Sequence, residues 1–385
     1  MVDAKARYVV LDSWRGLAAL GVVAFHFRTT AGLGGQAIFD GMYLFVDFFF
    51  VLSGFVMASS YGKKLRDASD VYRFMWLRLG RVYPLHIVIL AVFIALQVIF
   101  KYYRTGEWFP GPYQSLDTVI ANIFLVQSLN IYEFLTWNQP SWSISVEFFC
   151  YLIFAIGVIK TKNLVWFPCV VLIFIAPVFL YFFNNGKNLD ATAMYGLIRC
   201  VYGFASGVLV FEIYSRLPQH NLIKTQVIPS VIELLSIISI AIFIAKAGTT
   251  PLSLVAPIAF GISVAVFAAE RGFISSLMRR GPLVVIGSIS YSIYMVHMLV
   301  ISWWLEIFRA ALFKIGGQGL FNKVSGFARE YIFLEQKNYS GLALMLILVM
   351  CVSAITYFLV EKPCREWSRR TMFFSKVSPK RLDAH

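Results

Sequence analysis

Charge is scarce in this sequence: Asp, Glu, Lys and Arg make up 14% of its 385 residues, while 59% are hydrophobic and 17% aromatic. A soluble domain carries about a quarter of its residues charged, so this composition, with a mean hydropathy of +0.72, excludes one and indicates a polytopic membrane protein. Acids are the scarcer sign, 20 against 34 Lys and Arg. The excess of +14 does not read as nucleic-acid binding, because basic residues between apolar spans set membrane orientation. Other things are missing too. The five cysteines, Cys150, Cys169, Cys200, Cys351 and Cys364, form no CxxC and no Cys/His ligand spacing, which argues against a disulfide framework and against a zinc site. No metal is expected. No Ala-x-Ala cleavage site follows the first apolar stretch, so that stretch is expected to remain as a helix. We find no internal repeat, no low-complexity segment, no appended soluble domain and no Gly-x-Ser-x-Gly nucleophile elbow.

Long apolar runs are what the chain has in their place. Stretches of about 20 residues, enough to cross a bilayer, fall near 9–28, 40–60, 82–100, 145–159, 163–183, 193–215, 226–246, 251–269, 283–305 and 341–360. The expected fold is all-α, a bundle of about ten transmembrane helices over residues 1–370 with a basic tail at 371–385. The fourth span is short unless it begins near Ser141, and the apolar segment 118–129 reads as interfacial or re-entrant. If the N-terminus is cytoplasmic, 22 Lys and Arg fall in cytoplasmic segments and 10 in external ones, which predicts both termini in the cytoplasm. Two external loops are long, 101–144 with Trp108, Pro110, Pro112 and Trp137, and 306–340 with Gly-Gly-Gln-Gly. They read either as an interfacial aromatic belt or as a lid over an acceptor.

Ionisable residues inside apolar spans are costly and therefore functional candidates. In Leu11 to Phe27, LDSWRGLAALGVVAFHF, Asp12 and Arg15 stand near one end and His26 near the other. The step from Arg15 to His26 is roughly 16 Å of helix. The second span holds one acid, Asp47, at the depth expected for His26, where a carboxylate could orient an imidazole or merely bond within the bundle. Ahead of the third span, Arg78 and Arg81 share one helical face and could grip a phosphate or simply mark a cytoplasmic end. At the start of the fourth, Ser141, Trp142, Ser143 and Ser145 lead to Glu147. The serines could supply a nucleophile, but bonds between spans are the expected use. Arg199 lies in the sixth span, and Tyr291, Tyr294 and His297 recur at three-residue steps in the ninth.

Together these segments resemble the membrane acyltransferase-3 family, bacterial enzymes that O-acylate surface and exported carbohydrates. The resemblance runs from Leu11 to Pro363. It rests on Asp12-x-x-Arg15-Gly16-Leu17-Ala18 followed by His26, Asp47 in DFFFVLSGF, Arg78-x-x-Arg81-x-Tyr83-Pro84, Ser-Trp-Ser-x-Ser-x-Glu at 141–147, Tyr-Ser-x-Tyr-x-x-His ending at His297, and Glu361-x-Pro363. One departure is Ser13-Trp14, where the family often has Gly-Leu. The resemblance implies an O-acetyltransferase of the bacterial inner membrane, with acyl-coenzyme A as cytoplasmic donor and a polysaccharide or lipid-linked glycan as acceptor. It implies that Arg15, Arg78 and Arg81 contact the coenzyme A phosphates. His26 would be the catalytic residue, either as general base or as acyl carrier, with Asp47 and Glu147 orienting or recharging it. Trp142, Arg199, Tyr294 and His297 are the acceptor-side candidates, and Tyr294 or Ser143 could stabilise an oxyanion. The rival reading is a lipid or sugar transporter, although the inverted repeats and broken helices in matching halves common in transporters are not visible.

Overall fold

The computed structural model describes residues 8–28, 31–105, 111–161, 164–217, 226–304 and 339–374. Among them every regular element is helical. We label these α1 Val9–Phe27, α2 Ala37–Tyr61, α3 Ala68–Thr105, α4 Leu116–Ile123, α5 Ser141–Thr161, α6 Trp166–Phe183, α7 Gly196–Arg216, α8 Val227–Ala247, α9 Pro251–Ala268, α10 Phe273–Met278, α11 Gly281–Ser288, α12 Ser290–Trp304 and α13 Tyr339–Met372. Nine described helices are long and apolar enough to cross a bilayer, or ten if α11 and α12 count as one broken span. The all-α, multi-span fold expected from the apolar runs is therefore the one observed. The Gly-Gly-Gln-Gly segment, Trp108, Pro110 and the end of the basic tail lie outside the described residues. The last helix itself continues across position 370.

Exposed apolar faces locate the lipid. Phe167, Phe174, Ile175, Val178 and Phe182 on α6 point outward, as do Val227, Val231, Leu235 and Ile242 on α8. A soluble protein does not display such faces. The residues able to do chemistry are turned the other way, as the cost of polar groups in hydrocarbon requires.

Small residues set how closely the inner helices approach. Where α2 crosses α7, a methyl added at Gly54 would run into the Phe204 carbonyl, and one added at Gly207 into the Val51 carbonyl. Only glycine fits there, and the two backbones touch. Gly16 of α1 and Gly287 of α11 form a second such contact. Immediately beyond it the chain bends by 65° between α11 and α12. Irregular backbone at membrane depth persists only where protein groups satisfy it, and here Arg15 Nη2 donates to the Gly287 carbonyl at 3.2 Å.

Two boundaries refine the sequence reading. The helix of the third span starts fourteen residues earlier than 82, at Ala68, so Arg78 and Arg81 stand on the span itself and not on a preceding loop. Segment 118–129 does not cross. Its two-turn helix α4 is tied down where His86 Nε2 donates to the Asn122 carbonyl (2.9 Å) and Trp137 Nε1 to Thr118 Oγ1 (2.9 Å). Trp137 is thus turned inward, away from any interfacial belt.

Candidate active site

Three arginines and one acid converge near the Arg15 end of α1. Arg15, Arg78, Arg81 and Glu147 line a cavity of about 100 Å³ together with Ser53, Ser143, Tyr151, Ser290, Tyr291 and Tyr294. Each arginine is held differently. Arg15 donates from Nε to Ser290 Oγ (2.8 Å) and meets Asp12 at 3.4 Å. Arg78 donates to the Tyr61 hydroxyl (3.2 Å), lies over the Tyr61 and Phe74 rings, and keeps a buried Nε without a partner. Arg81 makes no hydrogen bond to any described residue, leaving its guanidinium donors available in the cavity. Arg78 and Arg81, one helical turn apart on α3, line the same cavity. Glu147 accepts from Ser53 Oγ and from the Tyr151 hydroxyl (2.6 Å).

A second cavity, of about 240 Å³, lies toward the His26 end. Its wall comprises His26, Phe25, Tyr43, Val46, Gln139, Trp142, Asp190, Thr192, Arg199 and Tyr294 with their apolar neighbours. Val46 and Tyr294 line both cavities, and so form a shared wall. The Tyr294 phenol is fixed there, accepting from Ser143 Oγ (2.8 Å) and donating to the Pro140 carbonyl (3.2 Å). His26 is partly exposed to this cavity and packs its ring against Phe25 and against His297, whose centroid is 5.0 Å away.

Neither acid expected to orient His26 hydrogen-bonds it. The glycine contact between α2 and α7 brings Arg199 onto Asp47, and the two form a bidentate pair, Nε to Oδ1 at 2.9 Å and Nη2 to Oδ2 at 2.7 Å. Both side chains are fully buried. Arg199 also donates to the Ala191 carbonyl (3.2 Å) and lies over the Tyr43 and Trp142 rings. A buried arginine beside a cavity suggests an anion hook, but three donors of this one are already engaged and Asp190 lies 3.9 Å from its Nη1. Glu147 faces the arginine cavity, because its position on α5 is more than a full turn beyond Trp142, which lines the other. Of the remaining candidates, Trp142 and Tyr294 line the histidine cavity and His297 stands behind His26.

Sequence reasoning left several site residues unassigned. Ser53 and Tyr151 hold Glu147, Ser290 holds Arg15, and Glu361 accepts from Ser292 Oγ (2.7 Å) while lying 3.8 Å from Arg365. Glu361 is buried and ends the π-helical turn Tyr357–Glu361. Its signal was available, since it is an acid at the end of a long apolar run. At the Ser13-Trp14 departure, Ser13 Oγ donates to the Met278 carbonyl (2.7 Å) and Trp14 rests on Phe267 with centroids 4.9 Å apart, its indole Nε1 buried without a partner.

Among the described residues, nine apolar crossings, or ten with the broken span, surround two adjoining cavities, one lined by three arginines and one by an imidazole. The family model of an acyltransferase domain, acyltransferase-3, matches residues 8–358, and the chain belongs to that family. It is a multi-pass membrane acyltransferase. Acyltransferase MdmB of Streptomyces mycarofaciens is 27% identical over 93% of this chain and 92% of its own length. Protein 2 in the picA locus of Rhizobium radiobacter is 41% identical over 98 residues, 24% of this chain and 49% of its own. No solved structure matches the chain.

Proposed function

We propose that this acyltransferase moves an acyl group, acetyl in the simplest case, from cytoplasmic acyl-coenzyme A to a hydroxyl of a surface, exported or lipid-linked carbohydrate, and that it works in a bacterial inner membrane. The observation that carries the reading is the adjacency of the two cavities, with Arg15 and His26 at opposite ends of one helix. Donor phosphates bind Arg15, Arg78 and Arg81, where guanidinium geometry suits phosphate oxygens. The open donors of Arg81 support this. The thioester reaches the shared wall at Tyr294. An acceptor hydroxyl in the histidine cavity attacks the thioester carbonyl as His26 takes its proton. The C–O bond forms, the C–S bond breaks, and the proton passes to the departing coenzyme A thiolate. Alternatively, His26 accepts the acyl group first and then yields it to the hydroxyl, with the same overall balance. The Tyr294 and Ser143 hydroxyls are the candidate oxyanion donors, each having to turn its one hydrogen away from its present acceptor as charge develops.

The ring faces of Phe25, Tyr43 and Trp142, interspersed with Gln139, Thr192 and Asp190, suit a sugar, which offers C–H faces and hydroxyl edges. In this reading Asp47 fixes Arg199 in the acceptor wall, and Glu147 balances arginine charge in the donor cavity. Two measurements test the proposal. Purified His26→Ala is expected to fold and to lose transfer from labelled acetyl-coenzyme A by about a hundredfold or more, and near-normal turnover would overturn the assignment. Arg78→Ala/Arg81→Ala is expected to raise the coenzyme A dissociation constant by roughly tenfold or more, since each charge-assisted bond contributes about 1.5–3 kcal/mol. An unchanged constant would return both residues to an orientation role. A transporter would give no covalently acylated product.

A further inference from the structure

His297 is completely buried, and its Nδ1 lies 2.6 Å from the Tyr294 carbonyl. A carbonyl only accepts, so Nδ1 carries the hydrogen. In a neutral imidazole the other nitrogen, Nε2, is then a bare acceptor. That Nε2 is buried and has no partner. An unsatisfied acceptor in the interior costs about 1–3 kcal/mol, which is tolerated where the group serves a purpose. The neighbouring ring is His26, at 5.0 Å between centroids and 35° between planes. His26 lines the cavity and has no side-chain hydrogen bond to any described residue, whereas His297 is not part of the cavity wall.

We propose that His297 is the positioning residue of His26. Its Nε2, unpartnered in this arrangement, accepts the N–H of His26 once the neighbouring ring turns toward it, which then fixes that ring's orientation and tautomer and leaves the opposite His26 nitrogen bare toward the cavity. This arrangement fills the role expected of Asp47, whose oxygens are both committed to Arg199. It is a neutral orienter, so it adds no second charge beside the reacting imidazole. Either version of the chemistry is served, because a bare nitrogen is what a general base and an acyl carrier both require. The inference rests on His26 being the reacting group.

The test combines spectroscopy and kinetics. In full-length protein labelled with ¹⁵N-histidine in detergent, with His26→Ala and His297→Ala used to assign signals, His297 is expected to show a protonated Nδ1 and a bare Nε2. A protonated Nε2 would overturn the proposal. With acetyl-coenzyme A and an acceptor, His297→Ala is expected to lower kcat about tenfold or more and leave the KM for acetyl-coenzyme A unchanged. His297→Gln, whose side-chain carbonyl can replace the Nε2 acceptor, is expected to recover most of that loss. Equal losses in both variants, or a loss confined to KM, would overturn it. If His26→Ala itself stays active, the functional reading fails, but the tautomer measurement still judges the contact.

Discussion

Arg199 and Asp47 show what a single residue costs inside a bilayer. The arginine is the largest fully buried side chain described, and the acid beside it is equally hidden. Taking one partner away strands a charge in a medium that cannot solvate it, a penalty of about 3–5 kcal/mol, whereas replacing both with apolar groups of similar size is often near neutral. Asp47→Asn is therefore expected to lower the unfolding temperature in detergent sharply. Asp47→Leu/Arg199→Met is expected to regain most of that loss, and a double variant as weak as the sum of its parts would show that the pair is not coupled. Sequence alone marked both residues as expensive but could not join them. They stand 152 positions apart, and their register depends on where two helix backbones touch, which leaves no periodic trace. The same limit explains Glu147. Its membrane depth was legible from its place near the start of a span, but the side of the helix facing Ser53 was not.

Among the helices, glycine decides which crossings are possible. Gly207 presses on the Val51 carbonyl of α2, while an added methyl at Gly157 on α5 meets nothing within 4 Å. Gly207→Ala is thus expected to force α2 and α7 apart, separating Asp47 from Arg199, with a large loss of folded protein on size-exclusion chromatography. Gly157→Ala is expected to leave the elution profile and unfolding temperature unchanged or slightly improved, since alanine is the better helix former. Equal behaviour of the two variants would refute the close-packing argument. Spans were legible because length and apolarity are local properties. The break between α11 and α12 was not, because it is stabilised from outside by Arg15 and by the Gly16 contact. The rotation of α12 about its axis, which aims Tyr294 at the shared wall and His297 at His26, is likewise a product of packing.

At the scale of the whole molecule, the order of the two cavities along α1 turns an argument about loop charge into one about reaction sidedness. The excess of basic residues in alternate loops favours the Arg15 end in the cytoplasm, and coenzyme A is too polar to cross the bilayer unaided. On the proposed function, donor must therefore enter at the arginine cavity, while the acceptor is met in the cavity of His26, nearer the opposite face. Sealed vesicles separate these requirements. Inverted vesicles, with the cytoplasmic face outward, are expected to consume added acetyl-coenzyme A at once. Right-side-out vesicles are expected to do so only after permeabilisation. Arg81→Ala, which removes the arginine with the most open donors, should raise the donor concentration needed in inverted vesicles without altering this sidedness. Equal activity in intact vesicles of both orientations would show that the arginine cavity is not the sole entrance for donor, and the assignment of its three arginines to a cytoplasmic coenzyme A site would fall.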